Sequence, residues 1–305
     1  MLRRACFIFV LVILSSECEA RGPQWDIYDL LDALGLKSFS GLLESTGYMY
    51  KLSDNASGPF TVFAPSEEAF SNLPPSVVKK LQHDGNWDLL HDLTSFHITR
   101  GNFSYFNWTN NMIIPTSLEG SSLRLNIYNN KSGEPSVMSA CGATLIKGDQ
   151  VATNGIVQII DRVLYRYPGD SLPNYIQQNS KLRTLAMLMQ IDGYQDKLNG
   201  QNITFFAPSD SAFNETGRNL TDIFSNTTLI EEIFRNHTVS NTFYTNGLQI
   251  LDGGFVINNS GAKISIKVDE DIYLNGVKIS EEDIPLSNGV LHIVNRMLFP
   301  LHNQE

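Results

Sequence analysis

The amino-acid sequence predicts an α+β fold that is built twice along one chain. Three observations support this prediction: a long block of sequence recurs, apolar residues at helical spacing open each copy, and strand-like segments close it. The chain has 305 residues, which at roughly 100 to 200 residues per domain leaves room for two domains, each with its own core. Helices that gather early and strands that gather late favour α+β over an alternating α/β order.

The repeat consists of two blocks that recur in the same order. Block one is FTVFAPSEEAF at 60–70 and ITFFAPSDSAF at 203–213; block two is NGIVQIIDRVLY at 154–165 and NGVLHIVNRMLF at 288–299. A histidine lies between the blocks of each copy, His97 in the first and His237 in the second. A repeat this long indicates a duplicated domain and not a solenoid of short units. We therefore predict domain 1 at residues 21–167 and domain 2 at residues 168–302, joined by a short linker around 167–170.

Each copy is predicted to open with short helices. Apolar residues recur at helical spacing at Ile27, Leu30, Leu31, Leu34, Phe39, Leu42 and Leu43, and again at Leu182, Leu185, Ala186 and Met189. The first block then has the pattern of a strand that ends at Ala-Pro and leads into another helix. Ser66 and Ser209 stand at the N-cap position of that helix, and the acidic residues of its first turn are favourable beside the helix dipole.

Strands are predicted for the later part of each copy. Residues 122–128 and 263–268 alternate apolar and polar side chains, which is typical of half-buried strands. The second block begins with an Asn-Gly turn and continues as an apolar strand that closes the copy.

Composition and charge restrict the partners of the protein. Hydrophobic residues make up 42% and charged residues 18% of the chain, which is a globular composition. The formal net charge is -10, so the surface should repel nucleic-acid phosphates and anionic lipids. Since the sequence contains no basic patch, we expect no nucleic-acid partner.

The amino end predicts secretion. Arg3 and Arg4 precede an apolar run at residues 5–14, and small residues at 18 and 20 suit a signal peptidase. The apolar run has about 10 residues, where a bilayer core needs about 20. We therefore prefer a signal peptide at residues 1–20 to a membrane anchor, and expect a protein of the extracellular space or matrix with no membrane insertion.

Glycosylation motifs and cysteine usage fit an extracellular protein without disulfides. The Asn-x-Ser/Thr motifs lie at Asn55, Asn102, Asn107, Asn130, Asn202, Asn214, Asn219, Asn226, Asn236 and Asn258. Removal of the signal peptide leaves Cys141 as the only cysteine, so no internal disulfide can form. We favour a buried, inert thiol over an intermolecular bridge.

The two blocks and the histidine between them resemble the first and second motifs of the fasciclin-like domain family. The resemblance covers both copies and nearly the whole mature chain. It implies for each copy a β-sandwich or wedge flanked by short helices, and a role in secreted or cell-surface adhesion. Family members often carry more copies and added cysteine-rich modules, so partnerships that depend on those modules are not implied.

The resemblance also suggests residues that contact a receptor. Integrin contacts proposed for the family include an Asp-Ile pair shortly before the Asn-Gly turn, where this chain has Asp283 and Ile284. The same place in the first copy is Lys147-Gly148-Asp149, with glutamine instead of the isoleucine. A carboxylate displayed on a loop can complete the coordination of a cation bound by a partner, and a nearby lysine can meet an acidic pocket. At both places we prefer an ordinary polar turn before a strand to a receptor contact.

A second adhesive motif proposed for the family is a Tyr-His pair. The matching places are Phe96-His97 and Asn236-His237, so the tyrosine is missing from both. A glycan on Asn236 would also mask that surface. We prefer a structural role for both histidines, as buried rings hydrogen-bonded to the backbone, to direct receptor contact.

Motifs for catalysis and for metal or cofactor binding are missing from the sequence. None of the 6 histidines lies in a zinc-ligand pattern, and there is no nucleophile elbow or phosphate-binding loop. The acidic clusters at 269–271 and 281–283 lack the spacing of a calcium-binding EF-hand loop, so a solvated face is the preferred interpretation. We predict no enzyme activity, no cofactor and no metal site.

The sequence thus predicts a secreted, N-glycosylated protein that binds a cell-surface receptor, of integrin type, or another matrix component. Two alternatives stay open. The chain could bind or process carbohydrate, since the fold can bring two carboxylates together for glycan hydrolysis. It could also be a matrix assembly component that binds no receptor.

Overall fold

The computed structural model describes residues 24–54, 57–82, 86–130, 133, 135–165, 170–191 and 193–299. Each copy of the repeat forms a domain with a seven-stranded sheet and several short helices. The predicted α+β class and the tandem arrangement are confirmed. The predicted signal peptide and the boundary between residues 167 and 168 lie outside the described residues.

Domain 1 carries its helices before most of its strands. Its elements are α1 (Ile27–Ala33), α2 (Lys37–Thr46), α3 (Tyr48–Leu52), β1 (Phe60–Pro65), α4 (Glu67–Ser71), α5 (Pro75–Leu81), α6 (Trp87–Phe96), β2 (Ile98–Arg100), a 3-10 turn (Tyr105–Asn107), β3 (Met112–Pro115), β4 (Ser122–Asn129), β5 (Pro135–Ala140), β6 (Ala143–Ala152) and β7 (Gly155–Ile160).

Domain 2 repeats this order with a full helix in place of the 3-10 turn. Its elements are α7 (Leu172–Gln178), α8 (Arg183–Met189), α9 (Tyr194–Lys197), β8 (Ile203–Pro208), α10 (Asp210–Asn214), α11 (Leu220–Ser225), α12 (Thr227–His237), β9 (Thr238–Ser240), α13 (Thr245–Ile250), β10 (Phe255–Ile257), β11 (Lys263–Val268), β12 (Ile272–Leu274), β13 (Val277–Leu286) and β14 (Gly289–Val294).

The two sheets have the same strand order. It is β2-β1-β7-β6-β5-β4-β3 in domain 1 and β9-β8-β14-β13-β12-β11-β10 in domain 2. The two repeated blocks form the parallel pair at the second and third places of each order, β1 with β7 and β8 with β14. The first and last strands of each copy therefore lie side by side, and the domain closes on itself.

The sheet of domain 1 bends so that its two halves share a core. Phe63 of β1 and Ile160 of β7 pack in one cluster with Leu123 and Leu125 of β4, although β4 is not their neighbour in the sheet. The opposite face of β1 and β7 packs against α1 to α3. Register shifts in β6 accompany this bend, because a bulge adds a residue and turns the strand. This arrangement agrees with the expected wedge flanked by helices.

The repeated helix after β1 and β8 begins at a serine in both domains, but the two serines act differently. Ser66 Oγ accepts a hydrogen bond from Ala69 N at 3.1 Å, which is the predicted N-cap. Ser209 also stands at the N-cap position, yet its hydroxyl contacts Ser211 Oγ and Asn295 Oδ1. Its side chain thus ties the helix to the end of β14.

The Asn-Gly step before β7 does more than turn the chain. Asn154 Oδ1 accepts from Ile27 N at 2.9 Å, and Asn154 Nδ2 donates to Leu52 O at 2.6 Å, so one side chain joins α1 and α3 to the sheet. A Cβ atom on Gly155 would lie 1.9 Å from Phe60 O, because β7 starts against the backbone of β1. Only glycine permits that approach.

Domain 2 repeats both features. Asn288 Oδ1 accepts from Leu172 N at 2.9 Å, and its Nδ2 donates to Leu198 O at 2.9 Å. A Cβ atom on Gly289 would lie 2.0 Å from Ile203 O. The Asn-Gly step of the second block therefore joins the sheet to the first helices of each domain.

Candidate functional site

Asp283 lies inside strand β13 and not on an exposed loop. It has a positive φ of 53° at a bulge of the strand and is 9% exposed. Its carboxylate accepts from Thr245 N at 2.7 Å, from Thr245 Oγ1 at 2.6 Å and from Arg162 Nη1 at 2.7 Å. Since Arg162 belongs to domain 1, the carboxylate joins the two domains.

Asp283 and Ile284, the candidate receptor contacts, are therefore not displayed on a loop. The bulge turns the Asp283 side chain toward α13 and domain 1, where three donors surround it. Ile284 is 5% exposed and belongs to the core of domain 2. Neither side chain is presented to solvent as receptor contact requires.

Asp149 occupies the equivalent bulge in β6, with a φ of 47°. Its carboxylate accepts from Ser104 Oγ at 2.6 Å, from Tyr105 N at 3.2 Å and from Gln158 Nε2 at 2.6 Å. In both domains the bulge aspartate thus holds the segment that follows the short strand β2 or β9. Asp149 is half-buried, and its carboxylate is held by donors from within domain 1.

A polar side chain of the closing strand supports each bulge. In domain 1, Asp149 N donates to Gln158 Oε1 at 2.9 Å, and Gln158 Nε2 donates to Phe103 O at 3.2 Å. His292 does the same in domain 2: its Nδ1 accepts from Asp283 N at 3.3 Å, and its Nε2 donates to the carbonyl of Phe243 at 2.8 Å.

These bonds fix the tautomer of His292, because a carbonyl can only accept. Burial lowers the pKa of His292, against the opposing effects of Asp283 and the Phe243 carbonyl. This role was not predicted from the sequence, although Gln158 and His292 hold the same place in the repeated block.

The other two members of the Lys-Gly-Asp motif differ in accessibility. Lys147 is exposed, beside the exposed side chain of Ile146. Gly148 lies under the ring of Tyr105, since a Cβ atom there would come within 2.3 Å of the ring. Tyr105 stacks on Phe106, which is 77% exposed. The exposed side chains in this part of domain 1 include Phe106, Ile146 and Lys147, which we call the β6 patch.

His97 and His237 are buried, as the structural interpretation predicts. His97 Nδ1 donates to Leu93 O at 2.7 Å, and its Nε2 accepts from Leu164 N at 3.0 Å. His237 makes the matching bonds: its Nδ1 donates to Ile233 O at 2.8 Å, and its Nε2 accepts from Leu298 N at 3.2 Å. Each ring joins the end of a helix to the segment after the closing strand. Burial lowers both pKa values to about 4.

Cys141 is a buried thiol, as favoured from the sequence. Its sulfur accepts from Arg124 N at 3.3 Å. Burial raises the pKa of the thiol to about 11, so little reactive thiolate exists at neutral pH.

The predicted glycosylation sites differ in accessibility. Asn102, Asn107, Asn214 and Asn219 are exposed, while Asn130, Asn202, Asn226 and Asn236 are half-buried. Asn258 is 4% exposed and its Nδ2 donates to Asn236 O at 3.0 Å, so a glycan on Asn258 conflicts with this fold. Asn202 Oδ1 accepts from Arg124 across the domain boundary. Asn55 lies outside the described residues.

The polar face of β4 is covered by domain 2, a contact that was not predicted from the sequence. Arg124 is 3% exposed and donates to Asn202 Oδ1 and, at 3.1 Å, to Ser287 O. Asn126 is fully buried and donates to Thr242 Oγ1 at 2.8 Å. These bonds make the contact between the domains polar and specific.

Two tyrosines complete the contact between the domains. Tyr128 OH donates to Thr242 O at 3.2 Å and accepts from Tyr244 N at 3.0 Å. The Tyr128 ring lies against Gly247 of α13, where a Cβ atom would come within 2.5 Å of it. The helix of domain 2 thus approaches the sheet of domain 1 at a glycine.

Groups that suit metal binding do not converge in the described parts of the chain. No set of three or more His, Cys, Asp or Glu side chains there is placed to hold a metal ion. Exposed carboxylates of the predicted acidic clusters include Asp269, Glu270 and Glu282. The described helices also include none with the length and apolar character that a bilayer span needs.

Comparisons with known proteins agree with this architecture. The model of the Fasciclin domain matches residues 34–166 and 180–300. Human periostin is 29% identical over 286 residues, which are 93% of this chain and 33% of periostin. The pig transforming growth factor-beta-induced protein ig-h3 is 27% identical over 293 residues, which are 93% of this chain and 41% of that protein. The chain therefore spans well under half the length of either relative.

A solved structure is also similar to this chain. It is a FAS1 domain pair from the insect cell adhesion molecule Fasciclin I, with 19% sequence identity and a TM-score of 0.43, and the match covers 88% of this chain and 98% of that one. The family match covers most of the chain and coincides with the two domains described above. The chain belongs to the fasciclin domain family and carries that domain twice in tandem.

Proposed function

We propose that this chain is a secreted extracellular adhesion or matrix protein that binds an integrin-type receptor or another matrix component and catalyses no reaction. The observation that carries the proposal is the tandem pair of fasciclin domains, which aligns with periostin and the ig-h3 protein over 93% of the chain. Two domains joined by a short linker also suit a binding protein, because linked weak contacts raise the overall affinity.

The use of the polar groups supports binding rather than catalysis. His97, His237 and His292 are buried, and their ring nitrogens form hydrogen bonds with the backbone. The Asp149 carboxylate binds Ser104 of a loop, and the Asp283 carboxylate binds Arg162 across the contact between the domains. These five groups therefore serve the structure.

The β6 patch is the surface that we propose for receptor contact. It retains Lys147 of the original motif and adds two apolar side chains, Ile146 at 56% and Phe106 at 77% exposure. Exposed aromatic side chains such as Phe106 are enriched at protein interfaces, and the Lys147 ammonium group can pair with an acidic group of a partner. The glycosylation motif at Asn107 adjoins Phe106, so a glycan there would limit access to the patch.

Cell attachment tests the proposal. The glycosylated mature protein, residues 21–305, is coated on a surface and attachment is measured with and without divalent cations. We expect attachment to require the cation and the double variant Phe106→Ala/Lys147→Ala to need about tenfold more protein for half-maximal attachment, as loss of a central anchor implies.

A matched control exists in domain 2. The variant Phe255→Ala/Lys263→Ala removes the same two side-chain types, which form an exposed cation-π pair at 4.2 Å. Equal effects of the two double variants would reject the β6 patch, and a surface that supports no attachment would reject receptor binding. Asp283→Ala is a poor probe, because it leaves buried donors unpaired and would disturb the contact between the domains.

Carbohydrate binding is a second candidate, favoured by an exposed aromatic surface on domain 1. Trp87 is 54% exposed and stacks on His91 at 4.9 Å, and the His91 ring lies 5.3 Å from Tyr48. Tyr50, in the same helix as Tyr48, is 75% exposed. Aromatic faces can stack on the apolar face of a sugar ring. A glycan array would reveal this activity, and Trp87→Ala should abolish any hit.

A further inference from the structure

A cleft of about 960 Å³ opens between the two domains. Domain 1 contributes the start of α4 and the segment after β7, and domain 2 contributes β13 and the turn between β11 and β12. Neither domain forms the cleft alone. Its volume lies at the upper end of the roughly 300–1,000 Å³ that is usual for ligand sites.

The lining of the cleft is strongly acidic. Eight carboxylates line it, two from domain 1 and six from domain 2, against two basic side chains, Arg162 and Lys278. Both basic groups are already paired, Arg162 with Asp283 at 2.7 Å and Lys278 with Asp271 at 2.5 Å. Of the other carboxylates, Glu281 pairs with Lys181 from outside the lining, while Glu68 of domain 1 and Glu270 of domain 2 are exposed. Low-dielectric walls that carry one sign of charge concentrate ligands of the opposite sign.

The cleft lining also includes a buried hydrogen-bond acceptor without a partner. Asn246 lines the cleft and is 5% exposed. Its amide nitrogen is identified by the donation to Gly142 O at 3.1 Å, since that carbonyl can only accept. Its Oδ1 atom has no hydrogen-bond partner within the described structure. A buried polar atom of this kind calls for a partner, and the partner that suits Oδ1 is a donor.

A compact metal ion does not fit this lining, because the carboxylates do not converge in groups of three anywhere in the described ranges. A ligand whose positive charges are spread out does fit. We propose that the cleft binds an extended basic peptide segment, rich in arginine or lysine, that belongs to an extracellular partner protein. This inference rests on the proposed function for the extracellular partner, and names the chemistry by which that partner is recognised.

Binding of a short basic peptide tests the inference directly. Fluorescein-labelled hexa-arginine is titrated with the mature protein at 0.15 M salt, and fluorescence anisotropy reports binding; labelled hexaglycine is the blank. We expect saturable one-to-one binding that weakens at least about fivefold in Glu68→Gln/Glu270→Gln, which neutralises one exposed carboxylate on each side of the cleft.

The control variant is Glu119→Gln/Glu232→Gln, which removes the same charge from one exposed site in each domain outside the cleft. We expect it to weaken binding less than about twofold, since exposed charges beyond the Debye length of about 8 Å are screened. Equal weakening by both variants, or no saturable binding, overturns the inference.

The peptide assay contains no cells, so its outcome is separate from that of the attachment assay. Loss of cell attachment with peptide binding intact would overturn the proposed function alone. Attachment without peptide binding would overturn the cleft inference alone.

Discussion

At the residue scale, the two repeated histidines couple the stability of each domain to pH. In His97 the Nδ1 proton is held by Leu93 O, so Nε2 must stay unprotonated to accept from Leu164 N. A second proton would face that N–H donor inside the core. Burial therefore lowers the pKa of His97 and of His237 to about 4, below the ordinary value of 6.5.

The first prediction concerns acid stability. The pKa in the folded state lies below the unfolded value, so stability is complete above pH 6.5 and is lost as pH falls toward 4. Each domain should lose about 2 kcal/mol between pH 7 and pH 5 through its histidine. Urea unfolding at the two pH values measures this loss, and His97→Gln or His237→Gln should remove most of it from the domain that carries the substitution.

A control separates titration from general destabilisation. Ile98→Val removes one methyl group from the same core, where Ile98 is fully buried, and should cost about 1 kcal/mol alike at both pH values. If His97→Gln left the pH dependence of domain 1 unchanged, the buried ring would not be its source.

The placement of Asp283 could not be predicted from the residue pattern alone. Asp283 stands in a polar stretch before an Asn-Gly step, and the same letters fit an exposed turn or a strand bulge. The choice depends on Thr245 and Arg162, which are distant in sequence and supply the donors. The histidines were easier to predict, because a ring found at the same place in both copies but without its tyrosine suits a role inside the fold.

At the element scale, the repeated strand pairs explain why two sequence blocks suffice to identify the domain. The blocks form the adjacent parallel strands, and their hydrophobic runs correspond to residues that are buried throughout β7 and β14. The strand and helix types were therefore predictable from local pattern. The double role of Asn154 and Asn288 was not, because their partners lie in helices at the other end of the domain.

The second prediction is that Asn288→Ala destabilises domain 2 by about 2–4 kcal/mol. The substitution leaves Leu172 N and Leu198 O without their buried partner, and each unpaired buried group costs about 1–3 kcal/mol. Urea unfolding of the mature protein measures the loss. Asn129→Ala, at an exposed position in β4, is the control and should change stability by less than about 0.5 kcal/mol. A similar small effect at Asn288 would contradict the proposed role of its side chain in joining the helices of domain 2 to the sheet.

At the scale of the whole molecule, the contact between the domains breaks the symmetry of the repeat. Strands β4 and β11 alternate polar and apolar side chains in the same way, yet Lys263, Ser265 and Lys267 of β11 are exposed, while Arg124 and Asn126 of β4 are buried under domain 2. The internal repeat predicts two equal domains. The repeat does not predict that domain 2 covers the polar face of β4, because the polar face of β11 has the same alternating pattern and is exposed.

The last prediction tests that contact at its closest approach. Gly247 is the residue of α13 that faces Tyr128, and a Cβ atom would lie within 2.5 Å of the ring. The ring cannot move aside easily, since Tyr128 is 6% exposed and its hydroxyl is held by Thr242 O and Tyr244 N. Gly247→Ala should therefore weaken the contact between the domains by about 1–3 kcal/mol, the usual cost of overpacking.

The expected result of Gly247→Ala is separation of the domains without loss of either fold. Alanine is the better helix former, so α13 itself should persist and circular dichroism should match that of the parent protein. Small-angle X-ray scattering should show a larger radius of gyration. The control is Gly41→Ala in α2, where a Cβ atom meets no other atom within 4 Å and the shape should stay unchanged. An unchanged radius for Gly247→Ala would mean that the domains are held together by contacts other than this one.

If the radius does rise, hexa-arginine binding should fall with it, because the acidic cleft needs walls from both domains.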